Sequence, residues 1–476
     1  MHDDLIKTDI CVIGAGSGGL SVAAGAVQMG AKTVLIEKGK MGGDCLNTGC
    51  VPSKALLAAA HAADTARKAS ALGVAAGPVS VDFDAVMRHV HGVIAGIAPH
   101  DSVERFEKLG CTVITAEAHF TGPTEVMAGG TRIAAKRFVI ATGSRAAIPP
   151  IPGLDDVPFF TNETIFENRT CPDHLIVIGG GPIGLEMAQA HRQLGAKVTI
   201  VEMFTILPKD DPDLVAIART AIEEDGISLY ENVKTRRVEN HNGAIRVVID
   251  RDGAEITLEG SHLLIATGRR PNVENLGLED AGVTFSPRGI AVDARLRTDN
   301  HKIFAIGDVT GGLQFTHMAS YDAGIVIRNA LFRLPAKVNH SAVPWVTYID
   351  PEIAQVGLTE QDARKIHGDA IRVLRWDYGD NDRARAENRT TGFIKVVTSA
   401  RGRILGAGIV GHQAGELIGL WSLAISQKMK IGAIASFIAP YPTLGEISKR
   451  AAGSFYTASL FGEKTRKIVR FLLRFA

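Results

Sequence analysis

The chain has 476 residues, 46% of them hydrophobic and 22% charged; at roughly 100–200 residues per domain this predicts about three domains and excludes disordered and fibrous classes. Its 52 basic residues nearly cancel its 51 acidic ones, for a net charge of +1, so no global field calls for nucleic acid and small-molecule partners are favoured. No apolar run reaches the roughly 18 residues of a membrane span, and the start, MHDDLIKTDICVIGAG, carries acids where a secretory signal carries bases; the expectation is a cytoplasmic protein.

The first element is KTDICVIGAGSGGLSVAAGAVQMGAKTVLIEKG. An apolar strand runs into Gly14, Gly16 and Gly19, then a small-residue helix, then a second strand ending at Glu37, 21 residues after Gly16. That order is a dinucleotide fingerprint. The first glycine permits the tight turn, the second lets backbone approach a pyrophosphate, the third lets helix pack on strand, and the carboxylate meets a ribose diol. The phosphates then lie at a helix N-terminus, whose free N–H groups and dipole favour anions.

Next comes KMGGDCLNTGCVPSKALLAAAHAA, with Cys45 and Cys50 separated by four residues, a spacing that fits one helical turn. No second Cys or His pair with ligand spacing accompanies them, so no resident metal is expected. A redox disulfide is the better reading, because a thiolate at a helix N-terminus beside a redox cofactor has a lowered pKa and exchanges electrons. Cys11, Cys111 and Cys171 stand alone in apolar contexts and read as packing residues.

The fingerprint recurs at DHLIVIGGGPIGLEMAQAHRQLGAKVTIVEM, with Gly179, Gly181 and Gly184 and then Glu202, again 21 residues after the middle glycine. A further echo pairs FVIATGSR, containing Thr142 and Gly143, with LLIATGRRPN, containing Thr267 and Gly268. One chain therefore holds two dinucleotides, and the natural pair is a flavin and a nicotinamide dinucleotide exchanging hydride. Glu202 favours a free 2′-OH and repels a 2′-phosphate, and MFTILPKDD offers no arginine to hold one, so NADH is expected over NADPH.

GGDCLNTGCVPSK, the two fingerprints, IFAIGDV and the late PTLGE together resemble the pyridine nucleotide-disulfide oxidoreductases, a family that includes dihydrolipoamide dehydrogenase, glutathione reductase and mercuric reductase. The resemblance covers nearly the whole chain. It implies an α/β fold with two nested Rossmann-like dinucleotide-binding domains and a C-terminal α+β dimerisation domain. Residues 1–150 and 271–340 would form the FAD-binding domain, 151–270 the NAD(P)-binding domain, and 341–476 the interface domain of a homodimer.

By the same resemblance, Cys45 and Cys50 would form the redox-active disulfide, Cys50 facing the flavin and Cys45 attacking substrate. Lys54 would lie near the flavin N5, paired with Glu186, and Gly43 would join the cofactor-binding residues. Asp308 would bind the ribityl chain. The helix FTHMASYDAGIVIRNAL would bring its N-terminus, at Thr316 and His317, to the reduced flavin, with His317 a neighbour rather than a general acid.

Dithiol-using members place a histidine five residues before Glu446; here Tyr441 stands there, a poor base at neutral pH. Tyrosine at this position resembles mercuric reductase, yet the last cysteine is Cys171, so the vicinal pair late in that enzyme has no counterpart. The expectation is a mercuric-reductase-like FAD enzyme whose acceptor is a soft metal ion, quinone or disulfide. The alternatives are dihydrolipoamide dehydrogenase and a flavin redox sensor without turnover. FGEKTRKIVRFLLRFA reads as a basic amphipathic helix, expected to pack on the interface domain, with peripheral attachment to an anionic membrane as the alternative.

Overall fold

The computed structural model describes residues 5–475; the acids read at the start, Asp3 and Asp4, lie outside them. The fold is mixed α/β, with two Rossmann-like units and a C-terminal antiparallel unit.

In the first unit the strands Thr112–Thr115, Thr33–Glu37, Leu5–Ile13 and Thr131–Ile140 lie side by side, all parallel. Ile10, Cys11 and Val12 are wholly buried, as expected of a parallel strand covered on both faces. The glycine- and alanine-rich helix Ser17–Gln28 packs against the helix Thr316–Ala330. Strand Thr131–Ile140 forks. Its first residues pair antiparallel with Glu125–Ala128, whereas Phe138 to Ile140 pair in parallel with Ile303–Ala305. The chain thus returns to its first sheet after building a second unit.

That second unit holds the parallel strands Ser228–Tyr230, Lys197–Val201, His174–Ile178 and His262–Ile265. An antiparallel meander, Lys234–His241, Ala244–Arg251 and Ala254–Gly260, follows before the last of them. A two-stranded seam, Ser144–Ala146 against Arg269–Pro271, joins the units just past the two Thr-Gly turns.

The C-terminal unit is a five-stranded antiparallel sheet in the order Pro344–Thr347, Glu352–Gly357, Ile404–Gly411, Phe393–Ser399, Ile371–Asp377. Strands Phe393–Ser399 and Ile404–Gly411 are buried nearly throughout. Helix Ala414–Ser426 covers one face, and helix Pro212–Glu224 of the second unit reaches the other. Lys395 faces that second helix. Its ammonium meets Asp211 Oδ1 at 2.8 Å, Glu360 Oε2 at 3.2 Å, and Asp213.

The C-terminal sequence does form a helix, Glu463–Leu472, but none of its side chains is buried. The packing expected for it against the interface domain is absent within the chain: Ile468, Phe471, Leu472 and Phe475 are all more than half exposed. No helix among the described residues is long and apolar enough to cross a membrane.

Candidate active site

The two fingerprints build the same cradle twice. Gly14 and Gly179 both adopt positive φ, +102° and +120°, and a Cβ on either would collide with the carbonyl of Ala141 or Ala266, the residue leading into each Thr-Gly turn. The third glycines, Gly19 and Gly184, back onto the carbonyls of Gly14 and Gly179. Glu37 accepts hydrogen bonds from Ala15 N (2.6 Å) and Gly39 N (2.7 Å); Glu202 does the same with Gly180 N (2.6 Å) and Phe204 N (2.8 Å). Both carboxylates are thereby held at the mouth of one cavity of about 1580 Å³, whose lining also includes Gly16, Gly181, Thr142, Gly143, Gly268 and both site cysteines. The open backbone at the glycines, the two carboxylates and the cavity's size fit two dinucleotides.

The Thr-Gly turns are tied together across the seam. Thr142 Oγ1 donates to Asn272 O (2.8 Å), Asn272 N donates to Gly143 O (2.9 Å), and Thr267 Oγ1 donates to Ala147 O (2.9 Å). Arg269, beside Gly268, donates to Ser144 Oγ at 2.7 Å and lies 3.2 Å from Asp44 and 3.6 Å from Asp308. Asp308 in turn accepts from Ser144 Oγ at 2.5 Å, and burial pushes its carboxyl above the usual range. The arginine next to the second Thr-Gly turn was the available sequence signal for this network, and the sequence reading passed over it.

The cysteines do not share a helical turn. Cys45 lies in the short helix Gly43–Asn47 and Cys50 opens the helix Cys50–Lys68, with a break at Thr48 and Gly49. Gly49 packs against Asp44, where a Cβ would come within 2.8 Å of Oδ2, and Asp44 also takes hydrogen bonds from Thr48 Oγ1 (2.9 Å) and Asn162 Nδ2 (3.1 Å). Gly43 has φ +59°, and a Cβ there would stand 2.7 Å from Gly16 Cα. The cysteine motif thus seats directly on the first nucleotide cradle.

Both thiols are free, and their environments differ. Cys50 Sγ lies 3.3 Å from Thr316 Oγ1, so the N-termini of two helices, Cys50–Lys68 and Thr316–Ala330, converge on it. A hydrogen bond from Cys45, then one from Thr316 and the charge of Lys54, hold the Cys50 thiol well below its usual range. Cys45, donating to that sulfur and partly buried, is pushed upward. The pair is arranged as thiolate at Cys50 and thiol at Cys45.

Lys54, one turn beyond Cys50, has its ammonium 2.7 Å from Glu186 Oε2 and 4.4 Å from the centre of the Tyr348 ring. Glu186 is buried, and its other oxygen accepts from Tyr348 N at 3.0 Å. Tyr348 carries no local sequence signal and escaped the sequence reading. His317 lines the cavity with its ring stacked on Phe315, and burial holds its imidazole below the usual range. Tyr441 and Glu446 do not line the cavity of their own chain. Tyr441 is exposed, and its hydroxyl donates to Asp382 Oδ2 at 3.1 Å.

A doubled nucleotide cradle opening onto an activated dithiol defines a nucleotide-dependent thiol oxidoreductase. Residues 8–323 match the pyridine nucleotide-disulphide oxidoreductase family and residues 343–452 its dimerisation domain; the chain belongs to that family, and is a flavoprotein enzyme using FAD and a pyridine nucleotide. It is 36% identical over 450 residues to a mercuric reductase of Bacillus cereus, covering 94% of this chain and 71% of that one. It is also 36% identical over 475 residues to a dihydrolipoyl dehydrogenase of Geobacillus stearothermophilus, covering 94% and 96%. Among solved structures it resembles the Cu(II) complex of the HOCl-induced flavoprotein disulfide reductase RclA from Escherichia coli, with a TM-score of 0.84 at 28% identity over 93% of this chain and 99% of that one. The dimerisation domain supports a homodimer.

Proposed function

We propose that this enzyme draws electrons from NADH, relays them through FAD to Cys45 and Cys50, and delivers them to a thiophilic metal ion. The observation that carries the choice of acceptor is Tyr441. Its hydroxyl is engaged by Asp382, whose carboxylate pushes the phenol further above its usual range, so it is no base for a dithiol near neutral pH. Relatives named as mercuric reductases and a solved neighbour that holds Cu(II) support a metal substrate. The second reading, dihydrolipoyl dehydrogenase, is favoured by relatives of that name and by the presence of Glu446.

Bound FAD supplies a two-electron relay between nicotinamide and sulfur; the chain's residues do the rest. On this reading, residues 1–150 and 271–340 hold FAD, 151–270 hold NADH, and 341–476 join the two subunits. Glu37 and Glu202 receive the ribose diols, and Glu202 discriminates against a 2′-phosphate. Asp308 orients the ribityl chain, Lys54 sets a positive charge beside the flavin ring, and Thr316 steadies the Cys50 thiolate. Cys45 and Cys50 ligate the metal ion. For Hg(II), the two sulfurs give up two electrons and form the Cys45–Cys50 bond, the Cys45 proton leaves to solvent, and the metal departs as Hg(0). Two Cu(II) ions would take the same pair of electrons as two Cu(I).

The test is steady-state NADH oxidation with Hg(II), Cu(II) or lipoamide as acceptor, in the wild type and in Tyr441→His. Metal-dependent turnover lost in Cys45→Ser and Cys50→Ser, with lipoamide turnover gained on introducing histidine, is expected. Lipoamide reduction by the wild type faster than reduction of either metal overturns the reading in favour of dihydrolipoyl dehydrogenase. A large preference for NADPH overturns the coenzyme assignment alone.

A further inference from the structure

The helix Glu463–Leu472 begins beyond residue 452, where the family's dimerisation domain ends. At 3.6 residues per turn, Arg466, Lys467 and Arg470 fall within about 100° of one another around its axis, and Arg474 follows just past its end. Ile468, Phe471 and Leu472 occupy the opposite side, Val469 lies between that side and the cations, and Leu473 and Phe475 follow at the end of the helix. These six apolar side chains are between 47% and 77% exposed, and Phe471 and Phe475 meet edge to face, with ring centres 5.1 Å apart. Lys467 pairs with Glu463 at 3.1 Å; among the described residues Arg466, Arg470 and Arg474 meet no carboxylate. Leu460 and Phe461, at the base of the helix, continue the exposed apolar surface.

We propose that this helix docks the enzyme on an anionic lipid bilayer. Its charge argues for that occupant. A second copy packed through the apolar faces would turn both cation rows outward and leave the arginines with no counter-charge beyond Glu463. A bilayer surface rich in acidic headgroups satisfies both sides at once: the apolar face enters the boundary between headgroups and acyl chains while the arginines remain at the phosphate level. A homodimer carries two such helices, so attachment of the second becomes intramolecular once the first is bound.

The experiment is sedimentation of the full-length holoenzyme with phosphatidylcholine vesicles and with mixed phosphatidylcholine–phosphatidylglycerol vesicles, at low and high salt. Binding to the anionic vesicles is expected, weakened by salt and by neutral lipid. A Phe471→Asp, Leu472→Asp double variant should bind about tenfold less or worse while keeping its NADH oxidation rate and dimeric elution. Equal binding to neutral vesicles, or binding undiminished in the variant, overturns the proposal. So does a wild-type assembly larger than the dimer that falls to a dimer in the variant without lipid binding, which would assign the helix to a second copy.

Discussion

The ammonium of Lys54 lies 2.7 Å from the Glu186 carboxylate, although 132 residues separate the two in the chain. The carboxylate belongs to the second unit's helix Pro182–Gln193 and the lysine to the cysteine helix of the first, so this pair brings charge from one nucleotide unit to the floor of the other. Glu186 is buried, and its second oxygen also fixes the backbone of Tyr348. Glu186→Ala should therefore release both the lysine and the Tyr348 segment. Turnover is expected to fall by about two orders of magnitude with flavin content kept, as read by single-turnover reduction with NADH.

The ring beneath Lys54 can be probed separately. Tyr348→Phe keeps the aromatic face that holds the ammonium, whereas Tyr348→Leu removes it. The phenylalanine variant should match wild type within about twofold, and the leucine variant should lose about fivefold in the rate of flavin reduction. Equal loss in both would assign the effect to the hydroxyl.

The pH dependence follows from Cys50, which is held down to about 6 chiefly by the Cys45 hydrogen bond, helped by Thr316 and Lys54. A depressed value means the thiolate persists above that pH and is lost as pH falls through it. Alkylation of the reduced enzyme should therefore rise with a midpoint near 6. Cys45→Ala and Thr316→Val should each move that midpoint upward, the first by more, as measured by iodoacetamide incorporation across the pH range.

Gly43 sits against Gly16, so a methyl at that position must displace the first nucleotide cradle or the cysteine helix. Gly43→Ala should fold and dimerise but retain much less FAD. The ratio of flavin to protein absorbance in the purified protein checks this, and full flavin content would contradict the close approach.

Lys395 is the sole counter-charge the described residues give to Asp211, which is 3% exposed, and it also meets Asp213 and Glu360. Lys395→Met leaves the buried Asp211 without its cation and should cost about 3–5 kcal/mol, read as a shifted urea transition.

The parts of this molecule that were legible beforehand are those encoded by short stretches. Gly14, Gly16 and Gly19 act through backbone geometry and Glu37 through its carboxylate within one strand–turn–helix–strand stretch, so spacing alone announced them, and their repetition announced the second cradle. The Cys45–Cys50 spacing was legible as chemistry but misleading as geometry, because a helical turn and a turn broken at Gly49 span similar distances; what decides is the contact of Gly49 with Asp44. Tyr348 and Lys395 were illegible for a common reason. Each has its partner in another unit, and a lysine in a strand of alternating pattern reads as solvated until a helix from elsewhere lands on it.

The seam between Ser144–Ala146 and Arg269–Pro271 has a consequence for engineering. Because the threonines of the two Thr-Gly turns are hydrogen-bonded to Asn272 and Ala147, the residues that follow the seam's two strands, the two turns share one joint, with Arg269 reaching through it to Asp44 at the cysteine motif. Transplanting the second unit into a relative to change coenzyme preference would therefore require both strands of the joint, along with Asp44 and Asn272, to travel together. A graft cut at either turn alone would alter coenzyme choice and dithiol reactivity in the same stroke.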